Sequence, residues 1–318
     1  MLEPDRTNPE GWERRTLEKV ALAAVQEQRR ARYWGIFFKL LLFTYLFLLL
    51  FLWLGWIGKK DMSSTGKHTA LVELRGVIGP ESAASADNVI TGLQAAFKDK
   101  YTQGVILRIN SPGGSPVQAG HINDEVKRLR AKYPNIPLYA VVEDICASGG
   151  YYVAVAADHI YVDKGSIIGS IGVLMDGFGF TGLMDKLGIE RRLLAAGENK
   201  GFLDPFSPIR ENQVQYAETM LEEIHKQFIT VVRQGRGQRL KETPELFSGL
   251  LWVGTRSVEL GLADEIGSVD FVAREVIKAE DIVDFTPREN VAERLARRFG
   301  AAMADTLVRS VMSPLTVR

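Results

Sequence analysis

Residues 40–57 read LLLFTYLFLLLFLWLGWI, without a single charged side chain. No other stretch constrains the chain so strongly. Extended backwards by residues 36–38 around Lys39, it matches a helix that crosses a hydrocarbon core of roughly 30 Å at about 1.5 Å per residue, with Lys39 reaching back to the interface on its flexible stem. Tyr33 and Trp34 on one side, and Trp53 and Trp56 on the other, stand where interfacial aromatics gather. The run exceeds a signal-peptide core, follows about 33 residues of chain, and has no A-x-A site after it. It therefore predicts a retained signal anchor. The chain divides accordingly into a juxtamembrane segment 1–33, a span 34–58, a polar linker 59–67 (KKDMSSTGK), a folded domain 68–285, and a tail 286–318.

Arg29, Arg30 and Arg32 precede the span, while Lys59, Lys60 and Lys67 follow it. The denser cluster is N-terminal, which by the positive-inside rule puts residues 1–33 in the cytoplasm and the large remainder outside it. Residues 16–32, TLEKVALAAVQEQRRAR, read either as an amphipathic helix lying near the membrane or as a solvated juxtamembrane helix. Lys+Arg and Asp+Glu both number 39, so no overall basic field argues for nucleic acid as a partner. One cysteine, Cys146, excludes an intramolecular disulfide framework.

Beyond the linker, strand and helix patterns alternate. HTALVELRGVI, GVILRIN and PLYAVVEDI are strand-like, and ADNVITGLQAAFKDKY and VQAGHINDEVKRLRAKY between them have helical periodicity. Strand, helix, strand, helix, strand predicts an α/β core with parallel strands and crossover helices. No repeat is visible across residues 67–285, so one domain is the simpler division.

Two loops fall at strand ends, where open α/β sheets place their sites. RINSPGGSP carries Gly113 and Gly114; DICASGGYYVAVAA carries Ser148 followed by Gly149. Amides from both loops could converge on a developing oxyanion, although either Gly-Gly pair alone also reads as a plain turn. Ser148 is then either a nucleophile on a sharp turn or a small residue that lets the turn pack. Nearby Cys146 reads as a buried small hydrophobe before it reads as a nucleophile. A serine needs a base, and none of the four histidines, His68, His121, His159 and His225, stands in a context that recommends it. Lys200, alone in LLAAGENKGFLDPFSP, is the other candidate. A lysine serves as a base only where its free value of about 10.4 is brought down; otherwise it is an ordinary surface residue.

INSPGG, CASGGYYVAVAAD, GSIIGSIGV, GENKGFLDPFSP and VGTRSVELGLADEIG occur in that order. Together they resemble the SppA-type signal peptide peptidases, membrane-anchored Ser/Lys serine proteases with a Clp/crotonase-like fold, over roughly residues 68–285 and the span. The resemblance implies Ser148 as nucleophile, Lys200 as general base, Ser170 as the hydroxyl that orients the lysine, and the amides of Gly114 and Gly149 as the oxyanion site, with Gly113 shaping the turn. It implies no cofactor and no metal. Substrates would be peptides with small or apolar side chains, signal-peptide remnants above all, met at a bacterial inner membrane by a single-pass protein whose peptidase domain is extracytoplasmic.

One serine turn and one lysine loop resemble the single-domain type, which implies a homo-oligomeric ring, an octamer, in which the serine of one subunit meets the lysine of its neighbour. The tail segment NVAERLARRFGAAMADTLVRSVM is amphipathic and reads as a surface or inter-subunit helix, or as an end that enters an active site. Two other readings stay open. A crotonase-like acyl thioester enzyme would use the paired amides but neither Ser148 nor Lys200, and a non-catalytic membrane scaffold would keep the fold without reacting.

Overall fold

The computed structural model describes residues 10–53 and 66–287. They fall into two units, each described by itself. The first is helix α1, Glu10–Trp53, about 66 Å long at about 1.5 Å per residue. The segment 16–32 and the apolar run after it therefore form one unbroken helix, which is the one helix among the described residues long and apolar enough to cross a membrane. Trp56, the span beyond residue 53, linker residues 59–65 and the tail from residue 288 lie outside the described residues.

The second unit is built on β1 (His68–Arg75), α2 (Ala86–Lys98), β2 (Thr102–Ser111), α3 (Pro116–Lys132) and β3 (Leu138–Ala147). Both crossover helices start where the sequence supplies caps. Ser85 accepts from the Asn88 amide, and Ser115 accepts from the Gln118 amide with Pro116 in the first turn. Strands β1, β2 and β3 pair in parallel, and alternate side chains go to opposite faces. Val72, Leu74, Leu107 and Ile109 pack beneath Leu93 and Phe97 of α2 and Ile122 and Val126 of α3. Leu71, Ile106 and Val141 meet Val272 and Ala273 on the other face.

After β3 come α4 (Gly149–Ala154), β4 (His159–Val162), β5 (Ile167–Gly169), α5 (Thr181–Leu187) and the long α6 (Glu211–Arg236). The chain closes with β6 (Leu251–Val253), α7 (Gly254–Glu259), β7 (Glu265–Ile266), the single turn α8 (Val269–Phe271) widening into a π-type helix Val272–Ile277, and β8 (Ile282–Asp284). The sheet order is β6-β5-β3-β2-β1-β8, with β4 joining β3 to β7. Among the described strands, only β5 and β6 run antiparallel. The long β3 has two neighbours on one edge: its first half pairs with β4, and its last three residues with β5.

One sequence expectation needs correction. HTALVELRGVI is not one strand, because β1 stops at Arg75 and Gly76 turns the chain with φ 90°. Ile78 then forms a separate parallel bridge with Gly114.

Candidate active site

Ser111 and Cys146 are register partners near the ends of β2 and β3, so the turns that follow these strands are neighbours. Between β3 and α4, Ser148 adopts φ 51° and ψ −123°. Side chains crowd the backbone there, and a residue other than glycine stays only when its surroundings over-determine it. Two bonds do so: the Ser148 amide donates to the Gly169 carbonyl at 2.8 Å, and the Ser148 carbonyl accepts from the Tyr152 amide at 2.9 Å. A serine in the N-cap position ordinarily uses its hydroxyl on an amide of the first turn. Ser148 makes no such bond, and it is half-buried rather than sealed.

Gly113 lies directly against this turn. A Cβ there would stand 2.7 Å from Ser148 Cβ and 2.8 Å from the Gly149 nitrogen, and φ is 101°, so glycine is required. Both polar groups of Gly113 are occupied: its amide donates to Ser111 Oγ at 3.1 Å, and its carbonyl accepts from the Ile78 amide at 2.8 Å. The Gly114 amide takes no part in that bridge, which runs through Ile78 N–H to Gly113 O and Ser115 N–H to Ile78 O. It faces the start of α4, 3.3 Å from where a Cβ on Gly149 would sit. The Gly149 amide, first in α4, has no intrahelical acceptor. Among the described residues, two uncommitted amides thus flank Ser148, the arrangement that stabilises a developing oxyanion.

Ser170 joins this group through the sheet. Ala147 and Gly169 are register partners, so Ser148 and Ser170 leave adjacent strands side by side. Ser170 has φ 51°, with its amide bonded to the Leu250 carbonyl at 2.7 Å. Lys200 is different. Its side chain is exposed and, among the described residues, forms no hydrogen bond or ion pair, so nothing within one chain links it to Ser148 or Ser170. Its loop is nonetheless built: Asp204 accepts from the Ser207 hydroxyl at 2.6 Å and pairs with Arg191 at 2.9 Å. Those contacts, the Ser207 bond foremost, hold the Asp204 carboxyl below its ordinary range. Phe206 stacks on Phe180 at 5.3 Å beneath the Arg191 guanidinium.

A groove of about 1050 Å³ beside this loop is lined by Phe178, Leu193, Glu198, Gly201 and Ile209 among others, and does not include Ser148. The whole of residues 174–200 is exposed or half-buried, Leu174 at 80% and Leu194 at 96%.

His68 is buried at the start of β1 with Nε2 3.3 Å from Thr102 Oγ1, His121 and His159 are exposed, and His225 Nε2 lies 3.1 Å from the Ile171 carbonyl. Cys146 is fully buried, and burial pushes its thiol up, away from the reactive thiolate. Among the described residues no group of three or more His, Cys, Asp or Glu is placed to hold a metal ion. The sequence marked the INSPGG loop that contains Ser111 but not the role of its hydroxyl, and it did not mark residues 76–78 as part of the site. The glycines at 76 and 79 were the available signal of a separate segment.

Residues 130–282 match the family model described as Peptidase family S49, a stretch that contains Ser148, Ser170 and Lys200 and starts after Gly113 and Gly114. The chain is also 32% identical over 218 residues to a putative protease of Methanocaldococcus jannaschii, covering 67% of this chain and 69% of that one. The chain belongs to peptidase family S49. Its mostly parallel sheet with crossover helices is the Clp-like core of that family of serine-type peptidases. Two further relatives match in part. A putative signal peptide peptidase SppA of Enterococcus faecium is 31% identical over 199 residues, which is 63% of this chain and 57% of that protein. A Na+/H+ antiporter NhaA of Brucella melitensis is 44% identical over 177 residues, which is 56% of this S49 chain but 24% of the antiporter. The chain thus spans about a quarter of the antiporter and little more than half of the Enterococcus protein. Most of the protein that carries the transport name lies outside the match.

Proposed function

We propose that this S49 chain is a membrane-anchored serine endopeptidase with Ser148 as nucleophile, Lys200 as general base, Ser170 as the hydroxyl that orients the lysine, and the Gly114 and Gly149 amides as the oxyanion site. One observation carries the reading: Ser148 occupies a helix N-cap yet spends its hydroxyl on no helix amide, beside two amides the fold leaves uncommitted. Neutral Lys200 takes the Ser148 proton as Oγ attacks a peptide carbonyl, passes it to the leaving amine, and then activates water to release the acyl-enzyme.

Lys200 of one copy serves Ser148 of the next. A lysine base needs a desolvated setting, and the exposed apolar side chains of residues 174–194 argue for contact between copies that would supply it. A closed ring, an octamer by the family resemblance, satisfies such head-to-tail contacts. The substrates are peptides with small or apolar side chains, signal-peptide remnants among them, in keeping with the name of the Enterococcus relative. Helix α1 and the basic cluster at Arg29, Arg30 and Arg32 support a single-pass inner-membrane protein with the peptidase domain outside the cytoplasm.

The test is hydrolysis of a fluorogenic peptide with apolar residues before the scissile bond by the full chain in detergent. Ser148→Ala and Lys200→Ala are each expected to lose about 10³-fold or more in kcat. Near-normal hydrolysis by either variant overturns the role assigned to the residue replaced. An assembled wild type inert to peptides and to serine-directed acylating probes favours a scaffold.

A further inference from the structure

The Gly113–Gly114 turn needs something to aim it, and the geometry points to Ser111 as its positioning residue. We infer that the Ser111 hydroxyl sets the direction of the Gly114 amide and so the strength of the oxyanion site. The inference rests on the peptidase reading above.

Ser111 is the last residue of β2 and is completely buried. Its Oγ donates to the Gly76 carbonyl at 2.6 Å and accepts from the Gly113 amide at 3.1 Å. One hydroxyl therefore ties the turn after β1 to the turn after β2, across 35 residues of sequence. The tie fixes both sides of the Gly114 peptide unit. Gly76 begins the short segment that carries Ile78, whose amide holds the Gly113 carbonyl at 2.8 Å. That carbonyl and the Gly114 N–H belong to one planar, trans peptide group and point in opposite directions. Holding Gly113 O against Ile78 therefore turns the Gly114 N–H the other way, toward the start of α4. Ser111 secures both ends: Gly113 through its amide, and the Ile78 segment through the Gly76 carbonyl.

The same residue also contacts the helix behind the nucleophile. A Cβ at Gly150 would stand 3.0 Å from the Ser111 carbonyl oxygen and 3.3 Å from its Cβ, so α4 is seated directly on Ser111. A hydroxyl here is both donor and acceptor, which is what a site between a carbonyl and an amide requires. Alanine has neither function. It leaves the buried Gly113 amide and the half-buried Gly76 carbonyl without their partner and frees the turn to rotate.

The experiment compares wild type, Ser148→Ala, Ser111→Ala and Ser111→Thr as full chains in detergent, with thermal unfolding run alongside. The readouts are kcat and KM for the apolar peptide and the affinity for a peptide aldehyde, whose adduct with a nucleophilic serine places an oxyanion in the site. Ser111→Ala is expected to lose about 30-fold in kcat, less than the loss of a whole oxyanion donor, with KM within about twofold. Aldehyde affinity should fall in step with kcat, and Ser111→Thr, which keeps the hydroxyl, should recover most of both. Unchanged kcat in folded Ser111→Ala overturns the inference, as does a loss of kcat with aldehyde affinity intact. If Ser111→Ala does not fold, Ser111→Cys carries the same comparison, its thiol being a weaker donor and acceptor. Wild-type rates in Ser148→Ala overturn Ser148 as the nucleophile and with it the reading on which the inference rests, a result distinct from any failure at Ser111.

Discussion

The Ser148 amide donates to the Gly169 carbonyl at 2.8 Å, and Gly169 immediately precedes Ser170. The bond does two things at once. It holds Ser148 in a backbone conformation that a serine would not choose, and it fixes the separation of two hydroxyl-bearing residues that are 22 positions apart in sequence but neighbours across the β3–β5 edge.

Strain of this kind is measurable. Ser148→Gly should raise the stability of the folded chain by about 1 kcal/mol, because glycine accepts φ 51° without a Cβ penalty. The same change should abolish peptide hydrolysis. A lowered thermal midpoint in Ser148→Gly would show that the turn is relaxed as it stands.

The proposed sharing of the dyad between copies predicts complementation. Ser148→Ala and Lys200→Ala, each inert alone, should regain up to about a quarter of wild-type activity when unfolded together and reassembled at equal amounts, since random head-to-tail neighbours then pair an intact serine with an intact lysine in that proportion. Mixtures as inert as their parents would place both residues of the dyad in one chain.

Arg236 is 1% exposed and grips Asp264 with two bonds of 2.8 Å, while its Nε donates to the Gly261 carbonyl. Removing it as Arg236→Ala takes two bonds from a largely buried carboxylate, leaving it the Ile160 amide and Arg239, and should cost about 3 kcal/mol in urea unfolding. Burial alone would raise Asp264, but the bonds and charge of Arg236, with the Ile160 amide and Arg239, outweigh it and hold the carboxyl low. A carboxyl lowered on folding stabilises fully above its unfolded value of about 3.9 and less as pH falls through its folded value. The thermal midpoint should therefore stay level down to about pH 5 and drop below about pH 4. In Asp264→Asn that acid limb should be shallower; an unchanged limb would place the acid sensitivity elsewhere.

Cys146 offers a control on the nucleophile. Being fully buried, with its thiol shifted upward, it should resist maleimide labelling until the chain unfolds. Cys146→Ala should cost about 1 kcal/mol in stability and leave kcat within about twofold. Loss of activity in a folded Cys146→Ala would move the nucleophile from Ser148 to the thiol.

Local sequence was sufficient for whatever depends on near neighbours. Strand-like apolar runs marked β1, β2 and β3, helical periodicity marked α2 and α3, and an uncharged run marked the apolar part of α1. The same locality pointed to Ser148 and to the Gly113–Gly114 loop, because small residues in series signal a sharp turn wherever they occur. It did not show that α1 begins as early as Glu10 or that the chain breaks at Gly76, since both outcomes hang on the energy of a few residues set against their surroundings.

What the tertiary structure decided is which of these parts meet. Ser111 reaches Gly76, Gly113 seats on Ser148, and Ser170 comes beside Ser148, because parallel pairing brings together strand ends that are tens of residues apart. Strand register selects one such set of neighbours out of many, and register is set by how whole faces pack, which no short stretch of sequence contains.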